Sequence, residues 1–451
     1  AMSTTQVAAL TTGQMAALTA NEVKALSTSQ VQALGSTQVN ALTNANIAAM
    51  TTTQVASLTA GQVTGLSTAA AASLVTAQVQ ALSTSQVQAI STANVAAMSS
   101  TQLSALTTGQ VSALTTAQVV ALETSDVAAL STGQVAALTT AQVNVLETAD
   151  IAAMSTGQVA ALSTAQVQAL SNGNVTALST SQVQAMGTAQ VNALSTAQVV
   201  AMTTSQVASL TAAQVKGMST DQVKALENAD VQVLNATQIK ALTTAQVQAL
   251  ETTDVAGLNT TQLAALTADQ VSALTTAQVV SLTTTEVSNL SYDQVKALTT
   301  TQLQAVETAD VAVLNSDQVS SLSATQVQAF TTAQVEKLST GVIAGLSNTQ
   351  VGALSTDQVA ALTTGQVKSL TAGEVTALSS DQVAVLTNAQ LGALSTGQIQ
   401  ALETGDVAAM STTQVNALST TQVNALTTGQ VAGLTTTQVS SLANAKLQAV
   451  N

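Results

Sequence analysis

From Ser3 to Val450 the chain repeats a unit of eight residues 56 times without an insertion or a deletion. The copy Ser163–Leu170, Ser-Thr-Ala-Gln-Val-Gln-Ala-Leu, shows the pattern. A fixed short period over the full length argues against a domain closed around one core and for a solenoid, in which each repeat is buried by its neighbours. Numbered 1 to 8 from Ser3, position 5 is Val, Ile, Leu or Met in every octad except the one holding Ala71, and position 8 is always a large apolar residue. At about 100° per residue an α-helix gathers positions 4, 5, 8 and 1 on one face and positions 2, 3, 6 and 7 on the other. A strand would place positions 5 and 8 on opposite faces, so a β-solenoid is the second-ranked alternative.

The helix cannot run on through successive octads. Eight residues overshoot two turns by roughly 80°, and an apolar stripe with that drift would circle the helix within about five octads. Capping chemistry supplies the reset. Position 1 is Ser or Thr in 43 octads and Asn in three more, and position 4 is Gln in 41. Ser/Thr-x-x-Gln is the capping box: the hydroxyl accepts from the N–H of position 4, and the Gln side chain accepts from the N–H of position 1. Leu at position 8 and Val at position 5 of the next octad form the hydrophobic staple. Each octad therefore reads as one short helix, and the fold class expected is an all-α solenoid over residues 3–450 with no separate domains. A single octad buries too little to order itself, so its stability has to come from stacking.

A weaker period sits above the first. Gly109, Gly133 and Gly157 are 24 residues apart, as are Asp269, Asp293 and Asp317, all at position 3. This spacing predicts about three octads per superhelical turn, or slightly more, with Val and Leu filling a thin axis. Duplication of 24-residue genetic units would leave the same spacing.

The composition narrows the function. The chain holds no His, Cys, Pro or Trp, one Tyr and one Phe, and its net charge is −14. Without His or Cys there is no Ser/His or Cys/His nucleophile pair and no zinc set, and no Gly-rich phosphate loop occurs, so no enzyme is expected. The acidic balance argues against nucleic acid and anionic membrane surfaces. Ser, Thr and Gln interrupt every octad, so no run approaches the roughly 20 apolar residues of a membrane span. No signal peptide is visible at Ala1–Met2.

Departures from the pattern are few. Gly35 and Gly187 replace the cap hydroxyl, Val342 replaces Gln, Phe330 stands at position 8 as an expected core residue, and Tyr292 at position 2 as an exposed one. Lys216 and Lys224 at position 6 are expected to be solvated. In Ser67–Val75, Ala70 and Ala71 replace Gln and Val, and Val75 takes a cap position; this is a tolerated degenerate copy or a hinge. The last octad has Ala443 and Lys446 in place of cap and Gln, as expected near an end of the repeat tract.

Six octads change two positions together. Glu123, Glu147, Glu227, Glu251, Glu307 and Glu403 stand at position 1, and position 4 becomes Asp126, Asp150, Asp230, Asp254, Asp310 and Asp406. Asp occurs at position 4 nowhere else. One reading is a swapped cap, with the Asp carboxylate accepting backbone N–H groups near the helix start. The other is Ca²⁺ ligation by these twelve carboxylates, although two carboxylates make a thin ligand set and no Asp/Gly-rich loop accompanies them. Asn235, Asn259 and Asn315 follow three of these octads as N-caps.

The Leu-Ser/Thr-Thr-x-Gln-Val-x-Ala-Leu copies resemble tandem tracts in very long bacterial surface proteins of the adhesin type, including RTX-like ones. The resemblance implies an extracellular or cell-surface location and a rigid spacer or filament, with end-to-end or side-by-side self-association. No RTX nonapeptide is present. An alternative is a binding surface, with the Ser/Thr array facing ice or a glycan. A calcium-stiffened stalk is a third reading.

Overall fold

A computed structural model describes residues 2–442 and Lys446. Among these residues the chain forms 55 α-helices of four to six residues, one per octad and numbered with it, from α1 (Thr4–Ala8) to α55 (Thr436–Ser441). No strand occurs among them. Ala443 lies outside the described residues.

Each helix starts where the octad places a hydroxyl. In α21 (Thr164–Ala169) the cap Ser163 has extended backbone, φ −72° and ψ 161°, and its side chain accepts from the N–H of Gln166. Gln166 Oε1 accepts from the N–H of Ser163 at 2.7 Å, which closes the box. Leu170 returns to extended backbone, φ −60° and ψ 137°, and the next helix begins. The chain therefore redirects itself every eight residues through ordinary backbone geometry; among the described residues none has positive φ and no peptide bond is cis.

Position 1 differs from the helical-wheel reading. Ser163 and most other caps are exposed, because the cap stands outside the helix in extended conformation and does not follow its wheel. Positions 4, 5 and 8 are the buried ones: Gln166 is 2% exposed, Val167 0% and Leu170 4%. The core is accordingly built from a Val and a Leu per octad, with one amide buried beside them.

The helices divide into two compact units, Ala1–Leu226 and Glu227–Asn451, with the boundary falling between two octads. Within each unit a helix packs on the third one along, as α1 does on α4 (Thr28–Ala33) and α30 (Ala236–Ala241) on α33 (Thr260–Ala265). This is the 24-residue step of the sequence. Side-chain bonds reach further: Gln38 Nε2 donates to Leu10 O, 28 residues back, at 2.7 Å. A turn thus closes between three and four octads, with the helix body over the third octad back and its first turn over the end of the fourth. The stacked backbones approach closely at Gly352, where an added Cβ would stand 2.9 Å from Ala377 O.

The irregular copies keep the fold. Ala70 and Ala71 are 3% and 2% exposed within α9 (Thr68–Ala72), which packs on α12 (Thr92–Ala97) like its neighbours. Val75 and Gly35 offer no hydroxyl, yet the N–H of each still donates to the Gln of its octad at 2.8 Å. Phe330 is in the core at 3% exposure, and Tyr292 is exposed.

Candidate functional site: the position 4 side chain and its acidic variants

The capping box uses half of the glutamine. The other half, Nε2, reaches the C-terminal end of the helix four octads earlier. Gln166 Nε2 donates to Leu138 O at 2.7 Å and Val135 O at 3.0 Å. Gln78 does the same to Met50 O at 2.8 Å and Ile47 O at 2.8 Å, and in the second unit Gln382 donates to Leu354 O at 2.6 Å. The Leu138 and Met50 carbonyls lie past the last turn of their helices, where the helix supplies no N–H, whereas the Val135 and Ile47 carbonyls already accept from the N–H of Leu138 and Met50. One buried amide therefore starts its own helix and finishes another, 28 to 31 residues away. Sequence reasoning finds the first bond from the Ser-x-x-Gln spacing and has no signal for the second.

Shorter side chains separate the two tasks. Asn46, Asn94 and Asn174 at position 4 still donate to the position 8 carbonyl four octads back, at 2.7, 2.9 and 3.1 Å. None of them closes a capping box. One methylene fewer lets the amide reach one helix only.

The six Glu/Asp octads resolve as caps of a reversed kind. All six Asp are buried, at 2–5% exposure, and all six Glu are exposed. Asp126 Oδ2 accepts from the N–H of Glu123 at 2.9 Å, and Asp150, Asp230, Asp254 and Asp406 accept from Glu147, Glu227, Glu251 and Glu403 at 2.9–3.3 Å. The Glu side chains accept no cap bond. In the Glu307/Asp310 octad the box is not closed.

Asp has no N–H to give, and its second oxygen is served from another direction. Ser100, Thr124 and Ser380, at position 2 of the octad three back, donate hydroxyl bonds to Asp126, Asp150 and Asp406 at 2.7, 3.0 and 2.9 Å. Burial pushes the carboxyls of Asp230 and Asp254 above the usual range, against the N–H bonds of Glu227 and Glu251 that lower them. For Asp310, burial and then the charges of Glu307 and Glu286 act in the same upward direction.

Four of the acidic octads are stacked directly, in two pairs. Octad 16, with Glu123 and Asp126, lies under octad 19, with Glu147 and Asp150, and α29 (Asn228–Gln232) packs on α32 (Thr252–Ala256) in the same way. Among the described residues, no group of three or more His, Cys, Asp or Glu side chains converges closely enough to hold a metal ion. Nor is any helix among them long and apolar enough to cross a membrane.

Three further position 4 acids carry no Glu at position 1: Glu22, Glu286 and Glu374. Glu286 and Glu374 are buried at 5% and 2%, whereas Glu22 is exposed. The backbone and hydroxyl bonds of Thr19 hold the Glu22 carboxyl below its ordinary value. Burial holds that of Glu374 above it, against the bonds from Thr371.

A family model described as the ALTTAQ repeat matches eleven segments: 17–44, 84–116, 119–148, 143–180, 173–204, 196–228, 223–255, 247–284, 303–340, 335–364 and 399–436. Together they cover more than half of the chain. The chain belongs to the ALTTAQ repeat family. The six letters stand here as Ala241–Gln246, which is the junction between two helices: the end of one octad, the cap of the next and the position 4 amide. No curated protein matches the chain.

Proposed function

We propose that this ALTTAQ repeat protein is a non-enzymatic structural element, a stiff spacer of a bacterial cell surface. The observation that carries the reading is the use made of each octad's polar groups. The cap hydroxyl and the position 4 oxygen are spent on starting the octad's own helix and the position 4 nitrogen on joining it to another, and no buried side-chain nitrogen or oxygen among the described residues lacks a partner. A chain that commits its polar chemistry to its own stacking gains stability with each added repeat and resists bending at every interface, as suits a spacer. The adhesin-like and extracellular assignment rests on the resemblance of the octads to surface-protein tracts. End-to-end or side-by-side self-association of such octads would be the route to a filament.

Electron microscopy of the purified chain with 28, 42 and 56 octads tests the proposal. Straight particles whose length grows in proportion to octad number are expected. Compact or flexible particles would overturn the spacer. Chelation that lowers the melting temperature would transfer the reading to a calcium-stiffened stalk, and thermal hysteresis or glycan capture to a binding surface.

A further inference from the structure

Glu374 occupies the site of a residue that elsewhere both accepts and donates. Its Oε2 accepts from the N–H of Thr371 at 2.5 Å, as Gln Oε1 does in other octads. Its side chain is as buried as those glutamines, at 2%. In equivalent octads Nε2 lies 2.6–2.8 Å from the position 8 carbonyl four octads back, and a carboxyl of the same length held by the same capping bond has its second oxygen within reach of that carbonyl. For Glu374 that carbonyl is Leu346 O, at the end of α43 (Thr340–Ile343). A carboxylate cannot donate there; a carboxylic acid can.

We propose that Glu374 is a proton-operated clamp between octads 43 and 47: neutral, it donates its O–H to Leu346 O and locks the turn; ionised, it sets like charge against that oxygen and lets the turn open. The proton comes from solvent and returns to it, with no other bond made or broken. Burial favours the neutral form in the same direction.

The surroundings leave this carboxyl as the group that titrates. The helices packed on α47 (Ala372–Thr376) are α44 (Asn348–Gly352) and α50 (Thr396–Ala401), and neither octad carries a titratable side chain; octad 43 carries none either. Lys368 and Asp381 on the adjoining octads are exposed. Glu403 and Asp406, four octads on, belong to the opposite end of α47, where Asp406 accepts from Ser380.

The sign of the effect follows from proton linkage. A folded-state carboxyl raised above its unfolded value binds the proton more tightly when folded, so local stability falls as pH rises from the ordinary Glu value through the raised one. Hydrogen exchange of the full chain, corrected for intrinsic chemistry, is measured across that window for wild type, E374Q and Q366E. In wild type, opening at Leu346 and across α47 is expected to rise by up to about tenfold per pH unit. E374Q is expected to abolish that dependence and to keep the low-pH protection at neutral pH. Q366E, which replaces the donor now bonded to Leu338 O at 2.7 Å, is expected to acquire the dependence at Leu338. Retention of the wild-type pH dependence in E374Q, or a flat profile at Leu338 in Q366E, would overturn the clamp.

Discussion

Replacing Gln166 by alanine tests the two-ended role of position 4. The side chain accepts from Ser163 N–H at 2.7 Å and donates to Leu138 O at 2.7 Å and Val135 O at 3.0 Å, all at 2% exposure. Q166A removes the returning half of the capping box, worth about 0.5–1 kcal/mol. It also strips the donor from a buried carbonyl, about 1–3 kcal/mol. Loss of buried methylenes adds about 1 kcal/mol. The sum is roughly 3–4 kcal/mol at one turn, against about 1 kcal/mol for S163A, which loses only the forward half of the box. Q166N separates the two bonds. By analogy with Asn174, which keeps its bond to Leu146 O without a box, it should cost no more than S163A. Because each turn contacts only its neighbours, a global melt would dilute the difference, and amide exchange at Leu138, Ser163 and Leu170 is the proper assay. Exchange in Q166A should exceed that in S163A by about 30-fold or more, since about 1.4 kcal/mol is tenfold. Equal protection in the two variants, or a Q166N as damaged as Q166A, would refute the claim that the amide joins helices four octads apart.

Other consequences are open to measurement. Leu170→Ala, at a position 4% exposed, should cost about 2–5 kcal/mol of local stability, read by the same exchange experiment. Val306 stands where other octads carry Leu and lines a cavity of about 10 Å³ with Val279, Leu303 and Leu314; V306L should raise protection there by about 1 kcal/mol, and a loss of protection would show that the space is not available. D126Q supplies an Nε2 to Met98 O and Val95 O, and should slow exchange at Met98 and Glu123 even with Glu123 in place. The raised carboxyl of Asp254 makes its contribution greatest at low pH and loses it as pH rises from the ordinary Asp value through the shifted one, so D254N should flatten the stability profile of octads 29–35 across that window, read by amide exchange.

How far the sequence reaches is visible at Ser163–Leu170. The box between Ser163 and Gln166 spans three residues, and any bond that short is written in local spacing. The same holds for the coupled change of Glu123 and Asp126, which is legible as a cap because both partners sit in one helical turn. The wheel failed at position 1, since a cap leaves the helical conformation that the wheel assumes. It also said nothing of Ser100, whose hydroxyl serves Asp126 from 26 residues away.

The eight-residue sequence alone determines that the chain becomes a succession of short helices with Val and Leu inward, because capping and helical periodicity act within one octad. Tertiary structure decides what the second end of each position 4 side chain meets. That partner lies 28 to 31 residues back, and it comes within reach only once the tilt of each helix has closed a turn between three and four octads. The same closure buries the position 4 carboxyls Glu286 and Glu374, at 5% and 2% exposure.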